Sequence, residues 1–184
     1  MIIRTLLDIP PDERETLTCL ARRPWQSWSF EDISPAEIGD GYRADAINIV
    51  LDTKVISMRC LAVELPDNDE SFRLTFDVAG DVDGKTGVER LNTRLTANKA
   101  DYDSFDVGTR PKLFLIWRSN DYPSQTNWPD CELLVESADA LLIKGRNVQV
   151  VVQSDPLPTW LSVTRDSESI NEVLRRAIKI ELLS

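Results

Sequence analysis

The chain has no histidine and only three cysteines among its 184 residues. Without histidine there is no Ser-His or Cys-His nucleophile pair, no histidine general base and no imidazole metal ligand. The cysteines, Cys19, Cys60 and Cys131, are far apart in the sequence and form no Cys-x-x-Cys motif. Because zinc ligands usually come in close pairs, we expect no metal site and no cofactor, and we interpret the cysteines as buried thiols in a reducing compartment.

Long apolar runs are also missing. The longest, such as residues 113–117, have about five residues, whereas a membrane span needs ~20. The first residues lack the basic-then-apolar layout of a signal peptide, so we expect a cytoplasmic protein that does not bind membranes. A hydrophobic share of 42% with five Trp and only seven Gly argues against disorder and low complexity.

The negative charge of the chain is concentrated in its middle. The net charge is −10, and residues 31–110 hold seventeen acidic and nine basic side chains, which makes −8. Because neutralising phosphate requires Lys and Arg, this balance argues against free nucleic acid as a ligand. Two interpretations stay open: a charge that serves solubility, and a surface that binds a basic partner protein.

Helical patterns stand near both ends of the chain. Pro10-Pro11 and the acidic residues after them predict a helix from about residue 11 to residue 22. Near the C-terminal end, Ser169 and Glu172 match a capping box, and the apolar residues around them follow helical spacing: Ile170, Val173, Leu174, Ala177 and Ile178. We also expect a helical turn at residues 34–37 and a helix over residues 86–97.

Between these ends the pattern is mostly that of strands, which we expect over residues 46–51, 55–65, 72–78, 113–117 and 148–152. Residues 131–143 fit a helix and a strand equally well. No repeat or linker divides the chain, so we expect a single domain over residues 1–184. The predicted fold is α/β or α+β, with a mixed central sheet, flanking helices and a C-terminal amphipathic helix.

Residues 79–86, Ala-Gly-Asp-Val-Asp-Gly-Lys-Thr, satisfy a permissive form of the phosphate-binding loop. Asp81 and Asp83 would stand inside the cradle, where they would repel a nucleotide, and no second acidic motif for Mg²⁺ follows. We therefore interpret the segment as an acidic turn before a helix. Asp81, Asp83 and Glu89 also form an incomplete calcium-loop pattern.

Aromatic residues divide into two groups. Trp25, Trp28 and Phe30 cluster after the first predicted helix, and we interpret the two tryptophans as core residues. Trp128 and Trp160 lie in Pro-flanked loops, where they could anchor a partner protein.

Asp45 stands at the start of a predicted strand, as in nucleases of the restriction-endonuclease type. Those enzymes carry an acid-x-Lys on the next strand, so that metal and lysine meet at the scissile phosphate. Here the next strand reads Ser-Met-Arg-Cys-Leu at residues 57–61 and holds no lysine. Two pairs with the right letters look like turns: Asp52-x-Lys54 and Asp83-x-Lys85.

In its order of elements the chain resembles an uncharacterised restriction-endonuclease-like family of bacterial defence-associated domains. The resemblance covers about residues 40–182. It rests on the Asp45 strand, the paired strand after it, residues 98–103 before the apolar strand at 111–117, a Trp-containing segment and a closing amphipathic helix. It implies a nuclease-like domain in which Asp45 occupies a former metal-ligand position, while the missing lysine departs from the family's catalytic pattern.

Charge and the missing catalytic groups together predict a non-enzymatic interaction protein, such as a phage-encoded inhibitor or an immunity-type protein, that binds a basic surface of a partner protein. A degenerate or divergent nuclease-like domain of a defence system is the alternative, and a homo-oligomeric virion or scaffold subunit is a third possibility. The predicted partner-binding residues are Asp67, Asp69, Glu70, Asp81, Asp83, Asp101, Asp103, Asp106, Trp128 and Trp160.

Overall fold

The computed structural model of the protein describes residues 2–35, 41–65, 70–81, 107–123, 132–155 and 160–184. Within these ranges the chain forms twelve strands and two helices. The strands are β1 (Ile2–Leu7), β2 (Ser27–Glu31), β3 (Ser34–Pro35), β4 (Tyr42–Ala44), β5 (Ala46–Val50), β6 (Lys54–Glu64), β7 (Glu70–Asp81), β8 (Lys112–Pro123), β9 (Glu132–Lys144), β10 (Gln149–Asp155), β11 (Trp160–Thr164) and β12 (Ala177–Leu183). The helices are α1 (Pro11–Arg22) and α2 (Ser167–Arg175).

The strands form two sheets. The larger sheet has the order β12-β8-β9-β10-β11-β4-β3, and the smaller has the order β2-β5-β6-β7. Neighbouring strands are antiparallel, except that β1 pairs in parallel with residues 132–137 of β9. Strand β10 pairs with a later stretch of β9, residues 140–144. The first part of β9 therefore pairs with β1 and its last part with β10, in addition to its pairing with β8.

The main core lies between the two sheets. The smaller sheet contributes residues such as Ile49, Met58 and Phe76, and the larger sheet contributes residues such as Leu115 and Val152. Alternation along each strand explains this placement, because every second side chain points to the same face. The chain passes from the larger to the smaller sheet at Asp45, between β4 and β5.

The expected α/β or α+β fold with flanking helices is wrong, because the structure is mostly β, with two short helices in its described part. Residues 131–143 caused part of this error. Residues 132–143 of this stretch lie in β9, where a β-bulge between Ala138 and Ala140 interrupts the alternation. Ala138 and Leu141 therefore face the core between the sheets, and this three-residue spacing imitates a helix.

The predicted C-terminal helix exists, but its bounds were wrong. The cap is Asp166, whose carboxylate accepts a hydrogen bond from the Ser169 N–H at 2.7 Å, instead of Ser169. The helix ends at Arg175, and Ala177 and Ile178 belong to strand β12. On its buried face, α2 packs on the outer side of the larger sheet through a separate apolar cluster: Ile116, Ala140, Leu142, Val151, Ile170 and Val173.

The first helix and the hairpin formed by β5 and β6 are confirmed close to their predicted bounds. Ser34 and Pro35 form strand β3 instead of a helical turn, and the predicted helix at 86–97 lies outside the described residues. Trp25 is buried in the core, where its indole N–H donates to the Leu20 carbonyl at 2.9 Å. Neither described helix is long and apolar enough to cross a membrane.

Candidate functional site

The β-bulge in β9 brings a charged residue into the larger sheet. Ile116 of β8 is paired with Ala140 and Trp117 with Ala138, so Asp139 between them has no partner on β8. Bulges of this kind redirect a side chain and are frequent beside functional sites. Here Asp139 is directed to Arg118, which is on the sheet face that also carries α2.

Arg118, Asp139 and Gln153 form a hydrogen-bonded network across three neighbouring strands. The Arg118 Nε donates to both carboxylate oxygens of Asp139, at 2.8 and 2.9 Å, and its Nη1 donates to the Gln153 Oε1 at 3.2 Å. The Asp139 side chain is 5% exposed and that of Arg118 is 15% exposed. A buried carboxylate without a cation would be costly, so the two groups depend on each other.

Burial raises the pKa of the Asp139 carboxyl above its ordinary value, and the Arg118 guanidinium opposes that shift. Desolvation is the larger effect, because it penalises the ionised form of a group removed from water. The cost of charging Asp139 is therefore reduced by Arg118 without being cancelled.

An open cleft of about 650 Å³ lies between this network and helix α2. Arg118 and Gln153 line it from the sheet, and the helix side contributes Asp166, Glu168, Ser169, Glu172, Val173 and Arg176. Three carboxylates thus stand on the helix side, and we call Asp166, Glu168 and Glu172 the acidic wall.

The members of the acidic wall differ in their surroundings. The Ser169 N–H lowers the pKa of the Asp166 carboxyl, so this group is ionised at neutral pH. Glu172 forms ion pairs with Arg175 and with Arg176, whose Nε lies 2.7 Å from its Oε1. Glu168 is exposed in the first turn of α2. The wall therefore presents its least compensated charge to solvent at Glu168.

Electrostatically, the cleft suits a cationic group better than an anionic one. The carboxylate of Asp139 neutralises the charge of Arg118. The acidic wall contributes three further carboxylates, and Arg176 is the cation that lines the cleft beside them. Counting Arg175, which pairs with Glu172, four carboxylates then stand beside three guanidinium groups, for a formal charge of −1. A lysine or arginine side chain of another protein would be attracted to this charge.

Sequence reasoning missed Arg118, Asp139 and Gln153. A usable signal was present, since Arg118 directly follows the apolar run at 113–117 and Asp139 lies among the apolar residues of β9. Charged residues are almost never fully buried unless they are paired, so two opposite charges inside apolar runs predict a partnership. Their contact across the sheet requires the register, which the sequence does not display.

The structure does not bring the predicted acidic residues together where it describes them. Glu70 and Asp81 are the two ends of β7, eleven residue steps apart. At ~3.3 Å per step this separation is roughly 36 Å, too far for one contact patch of two side chains. The other predicted acidic residues lie outside the described residues: Asp67, Asp69, Asp83, Asp101, Asp103 and Asp106.

Of the two predicted tryptophan anchors, Trp160 is described and Trp128 lies outside the described residues. Trp160 begins β11 and is half-buried. The Arg43 guanidinium lies 5.1 Å from the centre of its ring, and the Arg43 Nε donates to the Asp155 carboxylate at 3.2 Å. The tryptophan is thus held within a contact of β4, β10 and β11, with part of its surface free for a partner.

Asp45 is exposed at the crossing between the sheets, and its N–H donates to the Glu31 carbonyl at 3.0 Å. Strand β6, which follows β5 and pairs with it, places Arg59 opposite Ala46. The described residues contain no group of three or more Cys, Asp or Glu able to hold a metal ion. Of the phosphate-loop match, Ala79, Gly80 and Asp81 continue β7, and the remainder lies outside the described residues.

No family model, curated protein or solved structure matches this chain.

Proposed function

We propose that the protein is a non-enzymatic interaction protein that binds a basic surface of a partner protein through the acidic wall of the cleft beside α2. The main support for this proposal is that Asp166, Glu168 and Glu172 lie on one side of an open cleft. The arginine on the opposite side, Arg118, is already paired with Asp139. An inhibitor or an immunity-type protein would use such a surface.

The charge of the whole chain supports this proposal. A net charge of −10 produces a long-range field that attracts a cationic partner and increases the rate of encounter. The cleft would then receive one lysine or arginine of that partner. Because the wall is partly exposed, salt should screen the long-range part of the attraction.

The experiment compares capture from a lysate of the source cells by the wild-type chain and by two charge-reversal variants. Glu168→Lys changes the acidic wall, and Glu15→Lys changes an exposed glutamate of α1, which is outside the cleft. A partner that fits the proposal carries clustered Lys or Arg and is lost with Glu168→Lys but kept with Glu15→Lys. Its association rate should fall steeply between about 0.1 and 1 M salt, as the Debye length shrinks from ~10 to ~3 Å.

An affinity that responds neither to salt nor to Glu168→Lys would contradict the proposal. Reversal of Asp101, Asp103 and Asp106 in one variant tests whether the middle of the chain contributes to the same binding. Cleavage of DNA with Mg²⁺ or Mn²⁺, lost in Asp45→Ala, would overturn the non-enzymatic assignment in favour of the nuclease-like alternative.

A further inference from the structure

Strand β12 has a polar face and an apolar face, and both are partly open to solvent. The ammonium of Lys179 lies 5.1 Å from the centre of the buried Trp117 ring, and Glu181 contacts Arg14 of α1, so the polar face is on the side of Trp117 and α1. The Lys179 side chain is nevertheless 59% exposed. Ile178, Ile180 and Leu182 are turned to the opposite side, where they are 51%, 48% and 56% exposed. An edge strand normally exposes its polar side chains, so this arrangement leaves an unusual apolar stripe.

The same strand ends the larger sheet. It pairs with β8 on one side, and no described strand pairs with its other side. Its outward N–H and C=O groups are therefore a template for a further strand. The opposite end of the sheet differs, because β3 has two residues and one is Pro35. Short length and proline are typical protections against edge pairing, and β12 has neither. It has a β-bulge at Ile178, but from Lys179 to Leu183 its pairing with β8 is regular.

We propose that two copies of this chain associate by antiparallel pairing of β12 with β12, centred on Ile180. In that register Ile180 lies opposite Ile180 of the partner subunit, and Ile178 lies opposite Leu182 of the partner subunit. Lys179 lies opposite Glu181 of the partner subunit. One face of the joint thus holds apolar pairs, and the other holds two pairs of opposite charge.

Charge complementarity favours Ile180 over its two neighbours, Lys179 and Glu181, as the centre of the pair. Centring the pair on Lys179 places two lysines opposite each other, and centring it on Glu181 places two glutamates opposite each other. Both arrangements are unfavourable across a strand pair. Centring the pair between two residues sets apolar side chains opposite charged ones.

Symmetry also limits the assembly. A two-fold pair uses the same strand of both copies. The free edge of β12 in each copy is then covered by β12 of the partner subunit, so association through this edge stops at two chains. The larger sheet then continues through both subunits, and the exposed apolar stripe of one copy packs beside that of the other.

The test measures the mass of the full chain by sedimentation over a concentration series up to about 1 mM, where even weak association becomes visible. We expect a species of twice the 20.8 kDa chain mass. Ile180→Asp, which sets two carboxylates at the two-fold axis, should raise the dissociation constant at least about tenfold. Ile2→Asp is the matched control, since Ile2 is also an exposed isoleucine, at 61% against 48% for Ile180, but lies in β1.

A charge swap tests the register independently of Ile180. Lys179→Glu alone and Glu181→Lys alone each set like charges opposite and should weaken the dimer. The double variant, with Lys179→Glu and Glu181→Lys together, should restore it. Thermal unfolding of each variant verifies that the monomer fold is retained.

Cross-linking gives a second measurement of the register. Residues directly opposite have Cα atoms about 4.5–5.5 Å apart, within reach of a disulfide. Ile180→Cys should therefore form an intermolecular disulfide on mild oxidation much faster than Ile178→Cys. A wild-type chain that is monomeric throughout, or a dimer indifferent to both Ile180→Asp and the charge changes, would overturn the proposal. A monomer that instead binds an extended peptide along β12 would also overturn it.

Discussion

Glu13 and Arg73 form a two-point ion pair where helix α1 meets strand β7, with both N···O distances at 2.8 Å. Each side chain is only 9% exposed. The Arg73 Nη1 also donates to the Leu74 carbonyl, and the Glu13 Oε2 accepts the Phe76 N–H at 3.3 Å. The pair is thus part of a small polar network that fixes the helix on the smaller sheet.

Removal of one partner should be costly. Glu13→Ala leaves the Arg73 guanidinium buried without its counter-charge, and we expect a loss of about 3–5 kcal/mol in the free energy of unfolding. Urea denaturation measures this loss. Glu15→Ala, an exposed change two residues away, should alter stability by less than ~0.5 kcal/mol.

The double variant Glu13→Leu with Arg73→Met should lose less stability than Glu13→Ala. Apolar side chains of similar volume can replace a buried ion pair at little cost, because no charge is then left desolvated. A Glu13→Ala variant as stable as Glu15→Ala would show that the pair is solvated in solution.

The buried carboxyl of Asp139 should give a characteristic pH dependence. Burial raises its folded-state pKa, so the native protein binds this proton at a higher pH than the unfolded chain does. Stability then falls as pH rises through the interval between the two pKa values and increases as pH falls through it. The wild type should therefore gain in free energy of unfolding relative to Asp139→Asn as the pH is lowered from neutrality toward the ordinary pKa of 3.8.

Asp166 is the control with the opposite sign. Its pKa is lowered by the Ser169 N–H, so its contribution is lost as pH falls through the folded-state pKa. The advantage of wild type over Asp166→Asn should shrink toward acid pH. Thermal unfolding at a series of pH values measures both trends. A shrinking advantage over Asp139→Asn would mean that Arg118 outweighs desolvation.

The sequence pattern predicted an element correctly where the spacing of its residues is regular from one end of the element to the other. The alternation around Phe72 to Val78 predicts β7, and the proline, acidic and basic residues of α1 predict its bounds. The period failed at β9, because one inserted residue at Asp139 shifts the alternation. It failed again at Ile178, whose spacing from Leu174 is helical although it lies in strand β12, between Ala177 and Lys179, which both pair with β8.

The candidate site was less accessible to sequence reasoning than the fold. Charge counts identified the acidic middle of the chain, but Glu70 and Asp81 stand at opposite ends of one strand. The cleft instead combines Arg118 from β8 with Glu168 from α2, fifty residues later. Such a combination depends on strand order and on the packing of α2, which are properties of the whole chain.

Gly145 tests a close backbone contact in the turn between β9 and β10. A Cβ at this position would lie 2.6 Å from the carbonyl oxygen of Val107, a buried core residue. Gly145→Ala should therefore destabilise the protein by about 1–3 kcal/mol, since backbone atoms must move. Gly80→Ala is the control, because among the described residues, apart from its two chain neighbours, no heavy atom lies within 4 Å of its added Cβ. Equal stability of the two variants in urea would contradict the contact.

Cys60 should be a weakly reactive thiol at neutral pH. Desolvation by burial raises the pKa of its thiol to about 11, from an ordinary value of 9.0. Because the thiolate is the nucleophile, alkylation of Cys60 should be slow at neutral pH. Its rate should increase about tenfold for each pH unit and continue to increase above pH ~9.

Peptide mass spectrometry after timed treatment with iodoacetamide measures the rate at Cys60 separately from the rates at the other cysteines. The same chain unfolded in urea is the control, since the solvated thiol should reach its plateau nearer pH 9.0. A plateau near that pH in the folded protein would show that water reaches the sulfur. The raised pKa also implies that the thiol's contribution to stability is lost as pH rises from about 9 toward 11, because the unfolded chain then releases this proton first.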